Sequence, residues 1–104
     1  MNHAALVEAF DEEMLGIYQR ALREADYKAS RFLAMLTEYR GLDTARYLIH
    51  ASTVSEGYTA LWERKRLDLT VEAVIHDNPQ WHPLFTPAEL AICEKRLKDY
   101  GYIP

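Results

Sequence analysis

The side chains best suited to chemistry in this chain are four histidines, one cysteine and a run of three bases. Glu72 stands four residues before His76, about one helical turn, so on a helix the carboxylate and the imidazole point the same way and form half of a metal site. Completing it would take a second Glu-x-x-His unit, a His-x-x-x-His pair or a Cys-x-x-Cys pair, and the sequence has none of these. No metal is expected, and His76 reads as an imidazole favoured by a helix C-terminus. Cys93 lies in the strongly helical stretch AELAICEKRL, where a lone cysteine reads as a small buried hydrophobe.

Nucleophilic and phosphate-handling patterns are missing. The glycines at 16, 41, 57 and 101 are too far apart for a P-loop or a dinucleotide fingerprint, and there is no Gly-x-Ser-x-Gly. Arg46 and His50 in RYLIH share a helix face and are similar to the Arg/His pairing of some helical ribonucleases, with a spacing one residue too short. The expectation is a chain with no catalytic residues and no cofactor.

Binding is more promising. From Ser55 to Glu72 the sequence runs SEGYTALWERKRLDLTVE, the densest mixture of aromatic and basic side chains in the chain. Tyr58, Trp62, Arg64, Lys65 and Arg66 are the candidate partner-binding residues, because interface hot spots are enriched in Trp, Tyr and Arg. The same bases could contact phosphates while the aromatics stack on nucleobases, which makes a small nucleic-acid-binding accessory protein the alternative. Against both stands a structural reading. Three bases that end a helix complement its dipole, and aromatics at i and i+4 face a core.

These residues must be carried by helices. Asn2 caps a first helix to about Ala25, along which Leu6, Phe10, Met14, Ile17, Ala21 and Ala25 recur every three or four positions, with Tyr18 and Leu22 widening the stripe. Gly16 in its middle suggests a close helix crossing. A second helix presents Ala29, Phe32, Leu33, Leu36 and Tyr39 and stops at Gly41. Asp43 caps a third, with Ala45, Leu48 and Ile49 inward. Ser55 caps a fourth that carries Tyr58, Leu61 and Trp62 inward, and Asp68 or Thr70 caps a fifth to His76. Prolines at 79 and 83 make DNPQWHP a loop held on the core by Trp81, Leu84 and Phe85. Thr86, Pro87 and Glu89 spell a capping box for the last helix, which Gly101 ends; the tail Tyr102 to Pro104 packs back. No stretch alternates like a strand. The chain is expected to be all-α, a compact single-domain bundle of five to six helices over residues 1–104.

Composition agrees with that size of core. In 104 residues, 49% are hydrophobic and 27% charged, so the chain can bury a core and is not of the disordered class. A core this small leaves room for a homodimer that shares apolar surface. No apolar run approaches the ~20 residues of a membrane span. MNHAALVEAFDEE lacks the basic start of a secretory signal, and a single cysteine suits a reducing cytoplasm. Net charge divides into −4, +3 and −3 over residues 1–13, 14–66 and 67–104. That central excess is weaker than nucleic-acid-binding domains carry.

Three segments, GLDTARYLIH, SEGYTALWERKRLDLTVEAVI and LFTPAELAICEKRLKDYGY, resemble a small uncharacterised bacterial helical domain family with the pattern S-x-G-[FY]-x-x-L-W-E-x-x-R-L-D-L-T-x-E and a closing Gly-Tyr. The resemblance implies a single compact domain in the bacterial cytoplasm, stand-alone or appended to other proteins, and carries no activity over. It places Ser55, Gly57, Trp62, Glu63, Arg66, Asp68 and Glu72 in the pattern. A structural clasp is the folding role available to them: Arg66 pairs with Asp68 or Glu72 and ties the fourth helix to the fifth, while Gly57 allows close packing near the Ser55 cap. The functional expectation is a non-enzymatic module that docks a larger bacterial protein.

Overall fold

A computed structural model describes residues 2–104, which form helices joined by turns and short irregular segments, with no strand among the described residues. Helix α1 (His3–Ala25) begins as read, with the Asn2 side chain accepting from the Ala5 N–H at 2.8 Å. It buries Phe10, Met14, Ile17 and Ala21, whereas Leu22 is 43% exposed and does not join the inward stripe. Asp26, in the left-handed conformation, turns the chain into α2 (Ser30–His50). Gly41 of α2 lies against Asp11 and Met14 of α1, so the two helices fold back on one another.

Helix α2 is two limbs meeting at a kink, and the kink corrects the expected boundary. Arg40, not Gly41, takes the unusual backbone, with φ 70° and ψ 178°, a region that non-glycine residues enter at a cost of about 1–3 kcal/mol. Asp43 is inside the second limb and does not cap it. That role falls to Asp11 of α1, whose carboxylate accepts from the Gly41 N–H and from Arg40 Nε at 2.8 Å. A Cβ on Gly41 would sit 2.9 Å from the Asp11 backbone, which is why glycine stands here. Gly16, expected at a close crossing, has nothing within 4 Å of that position.

Local caps set the rest. Ser55 accepts from the Tyr58 N–H to start α3 (Glu56–Glu63). A 3₁₀ turn at Leu67–Leu69 then leads to Thr70, which caps α4 (Val71–Asp77). Residues Pro79–Leu84, expected as loop, form a second 3₁₀ turn; Pro79 occupies its first position, where no N–H is needed. The capping box at Thr86 and Glu89 is complete and opens α5 (Pro87–Asp99). Counting the limbs of α2 separately, the all-α bundle has six α-helical segments among the described residues.

The main core joins α1, the second limb of α2, α4, the 80s turn and α5 through Phe10, Met14, Ile49, Ile75, Trp81 and Phe85. Phe10 meets Trp81 and Phe85 edge to face at 5.3 and 5.5 Å. A second cluster, Tyr58, Leu67, Ala73 and Leu97, is covered by Tyr100, Tyr102 and Ile103, so the tail packs back as read. No helix of the described residues is long and apolar enough to cross a membrane.

Candidate interaction cleft

The corner from Ser55 to Glu72 is assembled largely for folding. Tyr58 is 2% exposed and its hydroxyl donates to the Arg96 carbonyl at 2.9 Å; burial pushes that phenol above its ordinary range. Trp62, expected inward, is 46% exposed and meets Tyr100 edge to face at 5.6 Å. Both aromatics lie within α3, one turn apart, and only Tyr58 reaches the core.

The three bases take three different positions. Arg64 donates to the carbonyls of Ala25 and Ala60 at 3.1 and 3.0 Å and lies 5.0 Å over the Tyr27 ring. Lys65 has φ 59° and closes α3: the Arg66 N–H bonds to the Leu61 carbonyl and the Lys65 N–H to that of Trp62, a Schellman arrangement. Arg66 forms the clasp with Asp68 at 3.0 Å and, unforeseen in the sequence, with Glu24 of α1 at 2.7 Å. Its hydrogen bonds hold the carboxyls of Asp68 and Glu24 below their usual range. Gly57 is not at a close approach, since a Cβ there would meet only ordinary contacts, the nearest being the Tyr27 hydroxyl at 3.7 Å.

Glu72 takes no part in that clasp. It is 3% exposed, and its Oε2 accepts from Arg96 Nη1 at 3.0 Å. The same guanidinium donates to the carbonyls of Leu48 at 3.0 Å and Ala51 at 2.7 Å, which satisfies the C-terminal end of α2. Burial raises the Glu72 carboxyl above its ordinary value, against the opposing pull of its own backbone N–H and of Arg96. His76 instead sits 3.1 Å from Asp77. Among the described residues no three His, Cys, Asp or Glu side chains are grouped to hold a metal ion.

Arg46 and His50 do come together, on a buried carboxylate that spacing could not reveal. Glu89 Oε2 is 2.7 Å from His50 Nε2 and 3.6 Å from Arg46 Nε, while Oε1 accepts the Thr86 N–H at 2.8 Å to complete the capping box. Burial pushes the Glu89 carboxyl up, but Thr86, His50 and Arg46 together outweigh it and the net shift is downward. Arg46 also donates to the Leu84 carbonyl at 2.7 Å. An imidazole oriented by a carboxylate is part of a general-base arrangement, yet no serine, threonine or cysteine hydrogen bonds to His50 among the described residues. Cys93 is buried, its thiol pushed up to about 12 chiefly by that burial.

Beside the corner lies a cleft of about 440 Å³. Its walls are Ile17 and Ala21 of α1, Phe32 and Met35 of α2, and Leu61 and Leu69; Val71 and Glu72 close the inner end, and Lys28, Arg31 and Tyr47 stand at the mouth. Tyr47 is 66% exposed, the most open large apolar side chain described. Not one side chain between Ser30 and Arg40 is fully buried. Phe32, Leu33 and Leu36 are only half covered, and Tyr39, expected inward, is carried out to 50% exposure next to the Arg40 kink. The cleft is not legible in the sequence because the periodicity of this limb is that of an ordinary buried helix. No protein-family model, curated protein or solved structure matches the chain.

Proposed function

We propose that the protein is a non-enzymatic interaction module of the bacterial cytoplasm that docks a larger protein by receiving an apolar anchor side chain in the cleft between α1 and the first limb of α2. One observation carries this reading: an apolar hollow of about 440 Å³ opens beside a largely exposed tyrosine and an arginine. Hot-spot anchors fill pockets of this kind, and Tyr and Arg are the residues enriched around them. The bacterial, cytoplasmic setting is supported by the family resemblance and by a lone, buried cysteine. Nucleic-acid binding through Arg64, Lys65 and Arg66 has less support, since Arg64 and Arg66 are occupied within the fold.

The test is co-purification of the tagged protein from its native host, beside a Gly57→Leu variant. Gly57 lines the cleft and has room for a Cβ, so leucine there extends into the hollow, and circular dichroism and a thermal melt check that the variant keeps its fold. A specific protein captured by the wild type and reduced at least several-fold by Gly57→Leu is expected. No protein enriched above background, or equal capture by the filled variant, would sink the proposal.

A further inference from the structure

The first limb of α2 carries a second pattern beside the cleft, and Arg31, Met35 and Tyr47 border both hollows. Arg31, Ala34, Met35 and Glu38 occupy one face of this limb and line a hollow of about 510 Å³, with Asp43 and Tyr47 at its margin. Their spacing of three, four and seven residues is that of a packing seam. Arg31, Glu38 and Asp43 form no ion pair with any other described residue, although eleven ion pairs hold other charges of the fold. Opposite charges at the two ends of one seam, both without partners, suit a surface that also carries both signs in reverse order.

We infer that this face pairs with the same face of a second copy, the two limbs antiparallel about a two-fold axis. Arg31 of each copy then meets Glu38 of the other, and the axis passes between Ala34 and Met35. Seven residues of helix put the charges about 10.5 Å apart, so both ion pairs form at once in a single register. Ala34 at the centre lets the helices approach while Met35 adapts to fill the remaining space. Such an interface is isologous, with residue 31 contacting 38 and 38 contacting 31. A partner surface of a single sign would leave one of these charges unanswered, and a like-charge contact at the other end would oppose docking. Two limbs of this length bury less than the ~800 Å² per partner of a standard interface, so the dimer is a weak one that forms with rising concentration.

Sedimentation equilibrium of the full chain from about 5 to about 500 µM brackets the affinity of an interface below standard size. Wild type is expected to pass from monomer to dimer across that range. Arg31→Glu and Glu38→Arg, both on the surface and checked for an unchanged thermal melt, are each expected to weaken the dimer at least tenfold. Mixed in equal amounts they should associate again, because a chain acidic at both ends of the seam then faces a chain basic at both ends. A wild type that stays monomeric throughout overturns the inference, as does a dimer indifferent to either reversal or a mixture that fails to associate. Gly57→Leu, which obstructs the cleft, should leave the dimer unchanged, so this result stands apart from that of the docking experiment.

Discussion

The corner at Ser55 to Thr70 and the seam where the end of α2 meets α4 and α5 are each tied by an arginine, the first to two carboxylates and the second to one, under different physics. Arg66 is 31% exposed, and its partners Glu24 and Asp68 are 36% and 46% exposed. The Arg96 and Glu72 side chains are 11% and 4% exposed. Water and salt screen the first group, and each of its members can be resolvated if the others are removed. In the second, removing one partner strands the other in the interior. The seam also holds backbone: Arg96 takes two carbonyls at the end of α2, and Glu89 caps α5 while holding His50. What looks like the organising stretch in the sequence is therefore the softer joint, and the firm one is built from residues far apart in the chain.

The sharpest way to break this contrast is Arg96→Ala. It leaves Glu72 buried without its cation and two carbonyls without a donor, and a loss of about 3–5 kcal/mol is expected from urea unfolding. That is a large part of the ~5–15 kcal/mol a domain of this size holds. Glu72→Gln should be milder, because the site already favours the uncharged carboxyl. Equal losses from the two would contradict a carboxyl held mainly by desolvation. Glu89→Ala comes next, at about 1–2 kcal/mol, the usual effect of losing a helix cap, with His50 and Arg46 turning to solvent.

Titration separates two carboxyls of the seam by sign. Glu72 has a folded-state value raised above 4.5, so within the window between them the native chain holds more proton, and the stability contributed by this group falls as pH rises. Glu89 has a folded value below 4.5; there the unfolded chain holds more proton, and stability present above 4.5 is lost as pH falls. Thermal melts of wild type, Glu72→Gln and Glu89→Gln over a pH series measure both. The advantage of wild type over Glu72→Gln should shrink as pH rises above 4.5, and its advantage over Glu89→Gln should shrink as pH drops below it. Slopes of the same sign would mean that Arg96 outweighs the burial of Glu72.

Why one joint is legible in sequence and the other is not follows from range. Asn2, Ser55, Thr70 and Thr86 each bond an N–H three residues on, and all four caps fall where their residue types indicate. The Arg66 to Asp68 contact spans two residues and is equally readable. Glu72 and Arg96 are separated by 24 residues, and His50 and Glu89 by 39. With twelve basic and sixteen acidic residues, nothing local selects those pairs. Gly41 and Gly16 make the same point: either could mark a crossing, and only the placement of Asp11 thirty residues away decides for Gly41. The cleft escapes local reading because a helix stripe tells which side chains face inward but not whether anything meets them.

Arg66→Ala is the smallest effect and the one that sharpens the comparison most. Glu24 and Asp68 regain water when the guanidinium goes, so the urea midpoint is expected to stay within the scatter of replicate measurements, and added salt should change wild type and variant alike. If the midpoint instead drops as far as it does for Arg96→Ala, the corner is a second firm joint, and the pairing of α1 with the 3₁₀ turn matters as much as the seam. If it stays put while capture of a partner from the native host is lost, Arg66 reaches that partner, and the docking surface extends from the cleft onto the corner. Stability and capture together thus assign the one residue that the sequence pattern allots to both folding and binding, and neither measurement does so alone.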